Sequence, residues 1–588
     1  MSTALTVYIV AHSVVSDLNN AAGWDKALTR LRSAHADSVV LESYRGGMVV
    51  DEAVLRVARD RFNAEGFRTL GGLMPVWGEG FGKRGVGVET QMPFFCYSSE
   101  DTVSAIEREI RKLSRLFDQV VIDDAFMTSC RCADCEKARN GQNRGAFRRT
   151  LLTKVSERWV RAAHEEKPKV QLTVKFPQTY DRYHLYGYDP ERFPAIFDKV
   201  WVGTETRNPN TPKFGYTEPY QGYFNSRWMR ACAGDKFEGA WIDYIECDKQ
   251  QFYDQAVTSH LGGATNLTLF CYGDALFTGT LVSRMTAGLP GLRKLSDAAI
   301  EPWGVHVIKP ATSEGSGDLF IYDDFGMMGI PCVPATRLDK NMRSAIVPAQ
   351  GMSDPNMGKA IADAIASGGQ VIVTHAALAH ATDAALLALF GYSPATAATA
   401  RTIAHAFEVD GKKIELAKPF HVPGTLEPGP TTKTLAWVTC GTWDNLRIPF
   451  ITVKEHPGGG KAIVWNLGTF GQDAYTIDES LCVPVKSELL TLPAPVIALL
   501  RNTALAPLGL AIDAPPRVAT YLFAKHAVFV NYTAAPAEVR TTGLGLVPET
   551  LTSDRSDPSD KSDRSEFDGT ILRLPAGSYA MMDSKPAR

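Results

Sequence analysis

The sequence has no apolar run approaching the roughly 18 residues that suggest a membrane-spanning helix. It lacks a dominant charge: 62 Lys and Arg stand against 65 Asp and Glu, net −3. No strong field therefore favours nucleic acid or an anionic membrane, and neither is expected as a partner. Cysteine is sparse, 10 in 588 residues, which excludes a disulfide scaffold. The opening MSTALTVYIVAHS has neither a basic n-region nor a small-residue cleavage site. The expected location is cytoplasmic, with periplasmic as the alternative if a leader precedes this stretch. What is present is 45% hydrophobic and 22% charged residues, the balance of a soluble protein with large cores. The length suits about two to four domains.

Eight short apolar runs read as strands in the first 300 residues: 6–11, 38–41, 69–74, 119–123, 170–175, 200–203, 239–243 and 267–271. Amphipathic helices separate them. One carries Val103, Ile106, Ile110, Leu113 and Phe117 on one face, another Phe147, Leu151, Val155 and Trp159. Eight β/α units in about 290 residues predict a (β/α)8 TIM barrel over 1–300, with a doubly wound sheet as the competitor. A second α/β pattern over 301–510 predicts a flavodoxin-like open sheet. Its expected strands are 303–308, 318–322, 345–348, 370–374 and 461–467, with helices at 359–366 and 495–501 and a Pro/Gly/Thr-rich loop at 418–433. Alternating patterns over 511–588 predict a small C-terminal β-sandwich. Within it, residues 553–566 repeat Ser-Asp-x and read as a solvated loop.

Barrel chemistry sits at the C-terminal strand ends. Those ends place His12 after strand 1, Glu42 and Arg45 after strand 2, and Trp77 after strand 3. They place Asp123 and Asp124 after strand 4, Lys175 after strand 5, Glu205 and Arg207 after strand 6, Asp243 and Glu246 after strand 7, and Tyr272 after strand 8. Glycosidic cleavage uses two carboxyl groups, and aromatic rings offer faces to sugar C–H groups. Asp124 is the expected catalytic carboxylate, with its partner among Glu205, Asp243 and Glu246. Strand alternation predicts that only one of Asp123 and Asp124 faces the pocket. The others form the expected substrate-binding set. The segment 213–228, with Tyr216, Tyr220, Tyr223, Phe224 and Trp228, reads either as a sugar-facing wall or as rings packed on the barrel. Arg45 and Arg207 would either recognise an anionic sugar or pair with neighbouring acids.

The stretch Cys130-Arg-Cys132-Ala-Asp-Cys135 follows the acid pair, and Cys96 lies in the preceding long loop. Four thiols close a tetrahedral site, so a structural Zn2+ is expected at Cys96, Cys130, Cys132 and Cys135, with no cofactor in catalysis. These cysteines, the domain order and the passage GGGKAIVWNLGT to RVATYLFAKHAVFVNYT resemble glycoside hydrolase family 42, the β-galactosidases. The resemblance implies a barrel, a flavodoxin-like trimerisation domain and a β domain, hence a homo-oligomer, most simply a trimer. It also implies a strand-4 acid/base Glu after Asn, a register in which this chain has Ala125, one residue beyond Asp124. The family's strand-7 nucleophile maps to Asp243 or Glu246. A different layout, with the nucleophile at Asp124 and the acid at Glu205, resembles retaining α-glycosidases on related barrels. The expected function is a glycoside hydrolase acting on an oligo- or polysaccharide. The alternatives are a polysaccharide lyase with His12, Lys175 or a tyrosine as base, and a non-catalytic glycan binder.

Overall fold

In the computed structural model of the chain, the eight apolar runs of the first half fold as β1 (Ala4–Ile9), β2 (Ser38–Arg45), β3 (Arg68–Met74), β4 (Gln119–Ile122), β5 (Gln171–Phe176), β6 (Lys199–Gly203), β7 (Phe237–Asp243) and β8 (Asn266–Phe270). Each pairs in parallel with the next, and β1 pairs with both β2 and β8, so the ring closes. This is the predicted TIM barrel. The structure describes residues 3–87, 92–211, 216–313, 317–381, 383–393, 397–441, 446–469, 486–553 and 565–585. One compact unit is built on Met1–Asp297, and a second on Ala298–Ala474 and Pro484–Arg588.

The barrel interior is layered. Near the strand starts, Thr6 bonds Ser38 and Asn266, and Gln119 bonds Thr173 and Glu238. Above them Tyr8, Val40, Leu70, Val121, Trp201 and Trp241 form a buried apolar plug. Side chains alternate along a strand, so the residues two positions beyond Val40, Val121 and Trp241 also face inward. These are Glu42, Asp123 and Asp243. Gly72 makes room for the plug: a Cβ there would lie 2.6 Å from Val40 and 3.0 Å from the Tyr8 hydroxyl. Outside, the helix Glu100–Leu116 buries Val103, Ile106, Ile110 and Leu113, as its spacing predicts.

In the second unit, five parallel strands run in the order Cys332–Ala335, Val305–Ile308, Ser344–Val347, Gln370–Thr374, Lys461–Trp465. Four antiparallel strands extend that sheet: Leu446–Glu455, Lys433–Cys440, Ala397–Val409 and Lys412–Leu426. Two four-stranded antiparallel sheets between Ala511 and Asp583 make the C-terminal β domain.

Two expectations are corrected. Residues 318–322 are not a strand: Asp318 and Phe320 take left-handed backbone angles and lead into the helix Ile321–Met327. Most of 418–433 is not a loop but the end of the strand Lys412–Leu426. Its prolines misled because this strand lies at the sheet edge, where a missing N–H is tolerated. Pro419 and Pro423 both fall where the register with Ala397–Val409 shifts. Most of the Ser-Asp repeat at 553–566 lies outside the described residues.

Candidate active site

The mouth of the barrel is organised around one buried ammonium. Lys175, the penultimate residue of β5, has its side chain 2% exposed, and its Nζ lies 2.7 Å from Glu205, 2.8 Å from Asp124 and 3.3 Å from Asp123. The ring of Trp241 lies beneath it, its centroid 4.2 Å from Nζ. Two flanking pairs complete the cluster. On one side Arg45 forks onto Glu42, which also accepts from the Tyr8 hydroxyl at 2.7 Å and the Ala11 amide at 2.7 Å. On the other, Arg207 forks onto Asp243.

Strict alternation would place Glu42 and Arg45 on opposite faces, being three residues apart. The register between β2 and β3 shifts between Glu42 and Tyr44, leaving Ser43 as an extra residue. That bulge resets the alternation and lets both side chains point inward.

Burial governs the charge states. It pushes Glu205 up to about 7 against the attraction of Lys175, and it raises Asp124 and Glu42 above the ordinary carboxylate range against Lys175 and Arg45 respectively. Glu205 Oε1 accepts from Lys175, whereas its Oε2 is buried with no hydrogen-bond partner. Burial alone would lower the Lys175 ammonium, but Asp124, Glu205 and Asp123 outweigh it and hold it above the usual lysine range.

Residues 2–286 match the family model described as "Probable glycosyl hydrolase, catalytic domain". The barrel is a glycosyl hydrolase catalytic domain. An uncharacterized protein of Saccharolobus solfataricus is 23% identical over 282 residues, which is 43% of this chain and 46% of that protein, so the match spans about half of each. Among solved structures, the β-galactosidase of Bacillus circulans sp. alkalophilus superposes with a TM-score of 0.64 at 11% identity, covering 99% of both chains. A catalytic mutant of Gan42B, a GH42 β-galactosidase of G. stearothermophilus, gives 0.65 at 11% identity over 99% of this chain and 98% of that one. The exo-β-1,4-mannosidase Op5Man5 of an Opitutaceae bacterium gives 0.52 at 12% identity over 79% and 91%. At these identities the likeness is one of fold, and the fold is that of the GH42 enzymes from end to end.

The hydrolase domain brings together Glu42, Arg45, Asp123, Asp124, Lys175, Glu205, Arg207 and Asp243. It does not draw in the other four predicted site residues. His12 is exposed on the helix Ala11–Ser16. Glu246 is half-buried and accepts from Thr211 at 2.9 Å. Trp77 is half-buried under the Arg84 guanidinium, and Tyr272 is buried against Arg30. Lys175, expected as a substrate contact, instead lies inside the cluster and holds it. Asp123 and Asp124 do not point opposite ways: β4 ends at Ile122, alternation lapses in the turn, and both reach Lys175. The aromatic segment is not an exposed wall. Tyr220, Tyr223, Phe224 and Trp228 are buried on the helix Tyr220–Ala233, with Trp228 stacked on Tyr183. Both mouth arginines pair with neighbouring acids. Sequence reasoning missed Tyr8 and Trp241, although each is a large aromatic within a barrel strand and Trp241 stands two residues before Asp243.

Beside this site Cys96, Cys130, Cys132 and Cys135 converge, with their sulfurs within 4.8 Å of one another. Cys96 Sγ lies 3.7 Å from that of Cys132 and 3.6 Å from that of Cys135. Metal–sulfur bonds of about 2.3 Å in a tetrahedron require about 3.8 Å between sulfurs, so the four thiols fit a metal ion. The Val86 amide already donates to Cys130 Sγ at 3.3 Å.

Proposed function

We propose that the chain is a retaining glycoside hydrolase with Asp124 as nucleophile and Glu205 as acid/base. The observation that carries this reading is the shared ammonium. Oxygens at 2.8 and 2.7 Å from one Lys175 Nζ are at most about 5.5 Å apart. Retaining pairs stand roughly 5–5.5 Å apart, and inverting pairs need roughly 6.5–9.5 Å to admit a water. Glu205, pushed up to about 7, holds a proton for the leaving oxygen near neutral pH. Asp124 has the more accessible side chain, 16% exposed against 4% for Glu205, and is open to an anomeric carbon. The C–O bond to the leaving group breaks as its oxygen takes the Glu205 proton and Asp124 bonds the anomeric carbon. Glu205, now ionised, takes a proton from water, which displaces Asp124 with net retention.

The lyase reading loses Lys175 as its base, because the neighbouring acids Asp124, Glu205 and Asp123 hold the ammonium protonated against burial. With Arg45 and Arg207 both committed to acids, an uncharged glycan suits the mouth better than a uronate or a sulfated sugar. The names of the structural relatives make β-galactosides and β-mannosides the first substrates to try. We assign Zn2+ to the four cysteines as a structural ion, because four protein thiolates leave no open position for catalysis. The zinc would pin the loop that follows Asp124. By resemblance, assembly is as a homo-trimer, which light scattering at micromolar concentration tests.

The deciding experiment screens 4-nitrophenyl α- and β-glycosides and follows the best one by proton NMR. The first-formed sugar should keep the anomeric configuration of the substrate. An inverted first product would remove Asp124 as nucleophile.

A further inference from the structure

We infer that Lys175 is a positioning residue of the reaction, whose ammonium keeps Asp124 ionised while Glu205 stays protonated and so sets the pH range of turnover. The inference rests on the carboxylate pair proposed above.

An ammonium has three N–H donors and no acceptor. Here two are donated to Asp124 and Glu205, Asp123 stands within ion-pair distance at 3.3 Å, and the ring of Trp241 lies 4.2 Å away. The surrounding charges cancel in pairs. Arg45 from β2 is forked on Glu42, and Arg207 from beyond β6 is forked on Asp243 at the end of β7. The nearby phenols of Tyr8 and Tyr188 are neutral, held above their ordinary range by burial. What remains is three carboxylates on one cation in a buried place. Like charges that close cannot all ionise cheaply, so the cluster keeps a proton.

The geometry decides where the proton stays. Asp123 accepts from the Asp124 amide at 2.8 Å and has Arg45 at 3.5 Å, so its negative charge is doubly supported. Asp124 has the more exposed side chain of the catalytic pair and the full Lys175 contact. Glu205 has a buried oxygen with no donor on it. The proton therefore belongs on Glu205, and the Lys175 charge is what permits Asp124 to go without one. A scaffold lysine would only hold shape. This one divides two like groups into an acid and a nucleophile.

The test is the pH profile of kcat/KM for the Lys175→Met variant, on the best 4-nitrophenyl glycoside of the panel. Removing the cation should raise both apparent pKa values. The bell should move by at least about one pH unit to the alkaline side, along with any fall in its height. A lower bell with both limbs unmoved would overturn the inference. If Lys175→Met does not fold, the double variant Asp123→Asn/Lys175→Met keeps the net charge of the cluster and is compared with Asp123→Asn alone. Limbs displaced upward support the inference, and coincident limbs overturn it. The two readings fail separately. Full turnover in Asp124→Asn and Glu205→Gln would sink the carboxylate assignment. Loss of turnover in both, with unmoved limbs in the Lys175 variants, would sink this inference alone.

Discussion

Glu205→Gln keeps the shape of the side chain and removes its ionisation, so it isolates what burial does to this group. Burial pushes Glu205 from its ordinary 4.5 up to about 7. A carboxyl that binds its proton more tightly in the folded state contributes stability that is complete below about 4.5. That contribution is lost as pH rises through about 7. Each pH unit in that window is worth about 1.4 kcal/mol, so the wild type should lose about 3 kcal/mol of barrel stability across it. The glutamine has no such slope. Urea unfolding followed by tryptophan fluorescence, at steps from pH 5 to pH 8, should show the variant gaining on the wild type as pH rises. Turnover should fall at least about 100-fold on 4-nitrophenyl glycosides. It should recover in part on 2,4-dinitrophenyl glycosides, whose leaving group needs little protonation. A stability difference that is flat with pH, or that runs the other way, would refute the argument that desolvation outweighs Lys175.

Asp124→Asn should cut turnover at least about 100-fold at every pH while largely keeping substrate affinity, measured by kcat and by binding of the intact glycoside. Gly203→Ala should be nearly as damaging with no change of charge, because a Cβ there would meet Glu205 Oε2 at 2.3 Å and the Gln178 amide at 2.9 Å. A normal kcat in a folded Gly203→Ala protein would show that the position of Glu205 is not critical. Metal analysis should find about one zinc per chain. Cys132→Ser should lose it and lower the melting temperature more than it changes substrate preference, since a structural ion contributes folding free energy.

The eight barrel strands were legible in the sequence because each is a short, largely apolar run bounded by polar residues. That pattern depends on the strand alone and on its being buried on both faces. The cysteine site was legible for a related reason. Thiol spacing is short-range information, and only Cys96 had to be fetched from the neighbouring loop. The candidate acids were legible as a set, because the C-terminal ends of barrel strands are the known place to look. Their partners were not. Nothing in the order of residues says that Lys175 would sink between Asp124 and Glu205, that Arg207 would be taken up by Asp243, or that a bulge at Ser43 would turn Glu42 and Arg45 to the same side. The edge position that tolerates Pro419 and Pro423 was equally invisible, because it depends on which strand ends up last in the sheet. Hydrophobic periodicity is a property of a segment and its solvent, so sequence carries it directly. Which carboxylate is buried, which is paired and which keeps a proton depends on charges brought within about 3 Å by closure of the ring, and only the folded barrel supplies that proximity.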